Sequence, residues 1–215
     1  MAKKQSTAVT AIDVLTTPQR HALGAVTVLA GTDGFLRHEA LHQLLVGPDG
    51  EELFVDKMDG RRAELRDVLD SLAERSLFGD GRRTVVVEEA DAFVKQYRGQ
   101  LEDYCDRPVR DAHLVLEVQT WPGNTRLAKR VAEMGITVSC HVPASGNEIK
   151  SFQKHVKDWL EVAVKREYDV VVERAALDLL LDKLPTEPGL LYQEATKLAL
   201  LSGDAKCVDG QLVKD

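Results

Sequence analysis

Down the first two thirds of this chain, short apolar runs alternate with stretches of helical periodicity, and this alternation constrains the fold more than any other feature. Residues 25–30, 53–56, 84–87, 111–118 and 136–140 are the runs, each ended by a glycine or by polar and acidic residues, and each reads as a strand. Between them, residues 35–46, 61–75, 92–104 and 125–134 read as helices. Parallel neighbours in a sheet need a crossover, and a helix is the usual one. The expected architecture is therefore α/β: a five-stranded, mostly parallel sheet with helices on both faces.

The 61–75 stretch shows how the pattern is read. Leu65, Val68, Leu69 and Leu72 fall at i, i+3, i+4 and i+7, which gives one helix with a single apolar stripe. The stripe stops at Leu72, and Ser76, Leu77 and Phe78 follow, just before the turn Gly79-Asp80-Gly81 that feeds the next strand. Burying a Leu or Phe side chain is worth about 1.5 to 3 kcal/mol, so the Leu77–Phe78 pair either finishes the core under the helix or anchors a partner.

Residues 25–46 form a strand, the turn Gly31-Thr32-Asp33-Gly34 and a helix, which is the layout of a phosphate-binding loop. The chemistry of such a loop is missing. A working version ends in Gly-Lys-Ser/Thr, whose Lys reaches the outer phosphates and whose hydroxyl holds magnesium; here the turn runs into Phe35-Leu36-Arg37. Backbone amides could still cradle an anion, but neither nucleotide hydrolysis nor any cofactor is expected. Glu88-Glu89-Ala90-Asp91 closes the third strand where a nucleotide hydrolase would hold its metal, although carboxylates at strand ends are also common on surfaces.

Two rival readings come from the same residues. An active nucleotide hydrolase or switch is kept alive only by the strand, turn and helix layout. His38-Glu39-Ala40-Leu41-His42 is a literal H-E-x-x-H, whose imidazoles at i and i+4 could share zinc while Glu39 acts as base on bound water. Glu148 is the nearest offer of a third ligand, but it lies far along the chain and past a linker. With Leu41, Leu44 and Leu45 on the apolar stripe, His38 and His42 more simply face solvent, so no metal is expected. No Ser-His-Asp or Cys-His arrangement stands out.

Composition excludes further classes. The 215-residue chain carries 28 basic and 35 acidic side chains, a net charge of −7, so as a whole it presents no electrostatic footprint for a phosphate backbone. Its three cysteines, Cys105, Cys140 and Cys207, are odd in number and lack metal-ligand spacing, which fits free thiols in a reducing compartment. No run nears the roughly 18 apolar residues of a membrane span, and residues 1–6 lack the apolar core of a signal peptide. A cytoplasmic protein with no membrane partner is expected.

The domain plan follows. Residues 1–20 are polar and read as a loose arm, 20–142 form the α/β domain, and His141-Val142-Pro143-Ala144-Ser145-Gly146 is a linker by composition. A small bundle of three helices follows at 146–203, its second and third helices broken apart by Pro185-Thr186-Glu187-Pro188-Gly189. Residues 204–215 form a tail without periodicity.

Three segments, in order, carry a resemblance. Residues 28–41, with Gly31-Thr32-Asp33-Gly34-Phe35-Leu36, resemble the opening of the bacterial DNA polymerase III delta subunit, a strand followed by Gly-x-(Asp/Glu)-x-Phe-Leu and a helix. Ser76-Leu77-Phe78-Gly79 followed by residues 83–87 is similar to that family's clamp-contact segment and next strand, and residues 191–200 to its last lid helix, with the pattern Glu194-x-x-Lys197-Leu198. The resemblance implies an AAA+-like core with a degenerate phosphate loop, a helical lid and, in full-length members, a third collar domain with no counterpart in these residues. It implies a non-catalytic subunit of a DNA polymerase holoenzyme, which binds the beta sliding clamp through Ser76, Leu77 and Phe78 and opens the ring for loading during replication. Its partners would be the delta prime and gamma/tau loader subunits, and DNA through the assembled complex. In nucleotide-binding relatives the lid carries an Arg that touches phosphate; here that place falls at Tyr192 or within a residue or two of it.

Overall fold

The computed structural model of the chain describes residues 9–46, 55–74 and 83–214, which fall into two compact units, Met1–His141 and Val142–Asp215. In the first unit, six strands form one parallel sheet: β1 (Val9–Thr10), β2 (Val26–Ala30), β3 (Val55–Asp59), β4 (Arg83–Glu88), β5 (Ala112–Val118) and β6 (Ile136–Ser139). Their order is β1-β6-β2-β5-β4-β3. The helices are α1 (Ala11–Thr16), α2 (Gly34–Leu45), α3 (Leu65–Ala73), α4 (Asp91–Gln96), α5 (Arg98–Asp106) and α6 (Arg126–Met134).

The central strands are covered on both faces, as their unbroken apolar runs require: Val28, Leu29, Val85, Val86, Val87, Leu114, Val115 and Leu116 are all fully buried. On one side they pack with Val68 and Leu72 of α3, Phe93 of α4, Leu101 of α5 and Leu127 and Val131 of α6. The expected stripe on α3 is buried at Leu65, Val68 and Leu72, and Leu69 packs partly against the same core.

Four expectations are corrected. Among the described residues the sheet has six strands rather than five, all of them parallel. The sixth comes from residues 9–20, which are no loose arm: Val9 pairs with Val138 and Thr10 with Ser139, and Ala11, Ile12, Val14 and Leu15 of α1 are buried. Thr10 caps α1 in a capping box with Asp13, so a six-residue helix is secured at its first turn. The 61–75 helix begins only at Leu65, because Asp59 folds residues 59–63 into a turn: its carboxylate takes the Arg61 amide and its carbonyl the Arg62 and Ala63 amides. The single helix at 92–104 is two, α4 and α5, with Tyr97 as the junction.

The second unit holds α7 (Gly146–Tyr168), β7 (Val171–Val172), α8 (Arg174–Lys183), α9 (Pro188–Leu201) and β8 (Cys207–Val208). Trp159, Leu160 and Val164 of α7 share the buried interior with Leu177 and Leu180 of α8 and Leu191 and Leu198 of α9. The tail at 204–215, which has no periodicity in the sequence, contributes β8, which pairs in parallel with β7 and buries Val208, and also buries Val213. Asp169 ends α7 in the left-handed conformation, and its carboxylate accepts from Lys165 at 2.7 Å and Lys206 at 2.6 Å. Those two ammonium groups hold its pKa down to about 2 and tie the end of α7 to the residue before β8.

Candidate functional site

In an open parallel sheet, ligands bind beyond the carboxyl ends of the strands, where successive connections leave in opposite directions. Here β2 is flanked by β6 and β5, while the chain leaving it crosses to β3 at the far edge, so the switch lies at the end of β2. Gly31, Thr32, Asp33 and Gly34 form the turn at that point.

The turn is drawn tight by its own chain. The Gly31 amide donates to the Val118 carbonyl at 2.9 Å, the Asp33 amide to the Cys140 carbonyl at 3.3 Å, and the Cys140 amide to the Ala30 carbonyl at 2.7 Å. A Cβ on Gly31 would stand 2.1 Å from the Cys140 oxygen, so only glycine permits this approach of the turn to the end of β6. The amino end of α2, the natural seat for a phosphate, is taken by the Asp33 carboxylate, which accepts from the Leu36 amide at 2.8 Å.

Arg37, one turn into α2, completes the closure. Its guanidinium donates to the Gly31 carbonyl and lies 3.8 Å from both Glu89 and Glu117, with only 12% of its side chain exposed. Glu88, beside Glu89, pairs instead with Lys57 at 3.0 Å. Glu117 has its pKa raised, first by burial and then by repulsion from Glu88, against the opposing pull of Arg37, Lys57 and His38. The carboxylates at the strand ends are therefore held in a network of cations from the same chain.

The H-E-x-x-H motif lies on α2 with His38 and His42 exposed and Ala40 and Leu41 buried. Among the described residues, no three His, Cys, Asp or Glu side chains gather where they could hold a metal. Nor is any described helix long and apolar enough to cross a membrane. Tyr192, at the place of the lid arginine, stacks on Trp159 with ring centroids 5.5 Å apart and donates its hydroxyl to Glu167 at 2.6 Å.

Ser76, Leu77 and Phe78 lie outside the described residues. What borders them is clear: α3 ends at Ala73 and β4 starts at Arg83, and the Arg83 guanidinium pairs with the Glu74 carboxylate, drawing the two ends of the intervening segment together. Sequence reasoning missed the roles of Arg37 and Glu117, which meet only when the ends of α2 and β5 are brought together in space. The acidic residue at the end of β5 was the one available signal.

Sheet order, parallel register and the helix-flanked turn after β2 define a parallel α/β fold with its switch point at the end of β2. Among solved structures, the chain is similar to the Bacillus subtilis DNA clamp loader delta protein, with a TM-score of 0.64 at 17% identity over 95% of this chain and 60% of that one. It also resembles the P216G mutant of Thermotoga maritima RuvB, with a TM-score of 0.50, 13% identity and coverage of 95% and 64%. The chain thus spans about three fifths of the length of these two structures. No family model and no curated protein matches the sequence.

Proposed function

We propose that this chain is a clamp-loader subunit of the delta type, which binds a ring-shaped sliding clamp and favours its open form so that DNA can enter, without hydrolysing ATP itself. The observation that carries the reading is the likeness to a clamp loader delta protein across 95% of the chain, in both units. The site is consistent with it. A turn whose Gly31 and Asp33 amides are already bonded, and whose helix end is capped by Asp33, has little left to offer a triphosphate. The Lys and Ser/Thr of a working loop are absent as well.

In this reading Leu77 and Phe78, with Ser76 beside them, fill an apolar pocket on the clamp, and α3 braces them. The Glu74–Arg83 pair ties the end of α3 to the start of β4 on either side of them. Contacts that form fully only on the open ring shift the clamp towards that state. The other loader subunits, delta prime and gamma/tau, would complete the assembly and bring DNA to it in the cytoplasm.

Mixing the chain with its cognate sliding clamp should give a stable complex on gel filtration. Leu77→Ala combined with Phe78→Ala should weaken it by about a hundredfold or more, as removal of two central apolar anchors does, with an unchanged unfolding curve. Titration with ATP and magnesium should produce no binding signal. A double variant that still holds the clamp, or micromolar ATP binding, would overturn the proposal.

A further inference from the structure

A second feature of the sheet's carboxyl edge is not used by the closed turn. A cavity of about 240 Å³ opens beyond Val118 at the end of β5, between α4, the start of α5 and the loop leading to α6. Lys95 and Arg98 line one side and Trp121 another. Both cations are exposed, and neither has an ion-pair partner among the described residues, whereas Arg37, Lys57 and Arg130 of the same unit are all engaged with carboxylates.

The cavity contains one carboxylate, Asp91, and it faces the loop. It accepts from the Gln119 amide at 2.9 Å, the Thr120 amide at 3.1 Å and the Thr120 hydroxyl at 3.3 Å. These bonds fix the loop that carries Trp121, and with Asp91 counted against Lys95 and Arg98 the cavity keeps one net positive charge. On a chain of net charge −7 this is a local positive site beside a half-exposed indole.

We propose that this cavity binds one nucleotide unit of single-stranded DNA, its phosphate on Lys95 and Arg98 and its base against Trp121. The inference rests on the clamp-loader reading for its context, since that activity brings the chain to DNA. The chemistry is specific to an unpaired strand: an indole recessed in a cavity can stack only on a base that is free to leave its partner, and such stacking tolerates any sequence. Two cations give a weak contact that gains from being delivered by a larger assembly.

The test is fluorescence anisotropy of a labelled oligothymidine against the whole chain across a salt series, with duplex of the same length, thymidine monophosphate and inorganic phosphate as competitors. One neutralised phosphate predicts a slope of log affinity against log salt of about −0.7. Lys95→Ala with Arg98→Ala should weaken binding about tenfold and flatten the slope, with no effect on folding expected of two exposed side chains. Trp121→Ala should weaken binding at unchanged slope, and Trp121→Phe should restore most of it. Displacement by inorganic phosphate as readily as by the oligonucleotide would reduce the site to an anion pocket and overturn the proposal. So would tighter binding of duplex, absence of binding, or indifference to the Lys95 and Arg98 changes. Clamp binding by the same variants separates the two ideas: a chain that holds the clamp but not the oligonucleotide overturns the DNA site alone. One that binds the oligonucleotide with the expected variant pattern but never a clamp overturns the clamp-loader reading.

Discussion

Two turns leave the same edge of the sheet from neighbouring strands, and they have gone opposite ways. After β2, the Gly31 and Asp33 amides, the end of α2 and the Arg37 guanidinium are all bonded within the chain. After β5, the backbone is just as well fixed, by Asp91, but Lys95 and Arg98 have no ion-pair partner among the described residues and line a cavity with Trp121, which is half-exposed there and packs on the core behind. A polar group recognises a ligand only if binding offers it more than it already has. By that measure the turn after β2 is a structural joint, whereas the loop after β5 leaves two cations for the ligand proposed there.

The largest effect should come from breaking the joint. Gly31→Val places a Cβ about where the Cys140 carbonyl stands, in contact with backbone rather than with a side chain that could swing away. We expect a loss of about 3 kcal/mol or more, read as a lower midpoint in urea with little change in slope. A loss below about 1 kcal/mol would mean that the turn can open, and the contrast between the two loops would fail.

A smaller change should follow from removing only the cap. Asp33→Ala frees the amino end of α2 and should cost about 1 kcal/mol. It should still give no ATP binding, because the missing Lys and Ser/Thr are not restored. If calorimetry showed ATP binding to this variant alone, Asp33 would be a plug in a working site, and the joint would be a switch.

How much of this was legible in the sequence depended on the length of the pattern. The central strands and α2, α3 and α6 could be read because each buries a run or a stripe long enough to show its period, as Leu65, Val68 and Leu72 do. The pair Val9–Thr10 and the six residues of α1 could not, being shorter than the window in which a period shows. Thr10 and Asp13, spaced as a capping box, were the signal that went unused. The site divides the same way. The turn at 31–34 is contiguous and was found, whereas Lys95, Arg98 and Trp121 come from three separate elements and converge only through the crossover from β4 to β5. The acidic cluster was half seen: Glu88 and Glu89 adjoin in sequence, but Glu117 reaches them across the sheet.

Glu117 also yields the finest test of the closed joint. Its pKa is raised above the ordinary value of 4.5, chiefly because burial penalises the charged form. The folded protein therefore holds this proton more tightly than the unfolded chain, and stability from this group falls as pH rises from about 4.5 through the raised value. Glu117→Gln removes the penalty while keeping the shape. The difference in unfolding free energy, variant minus parent, should become more positive as pH rises from 4.5 and level off once Glu117 is ionised in both states. Other carboxylates are common to both proteins and cancel. Arg37 sets the sign at neutral pH: at 3.8 Å it stabilises the ionised carboxylate, so a variant less stable than its parent at pH 7 would mean that the Arg37–Glu117 attraction outweighs burial. That outcome would make the joint an ion-pair clamp that tightens with pH, rather than a packed turn that merely tolerates a buried acid.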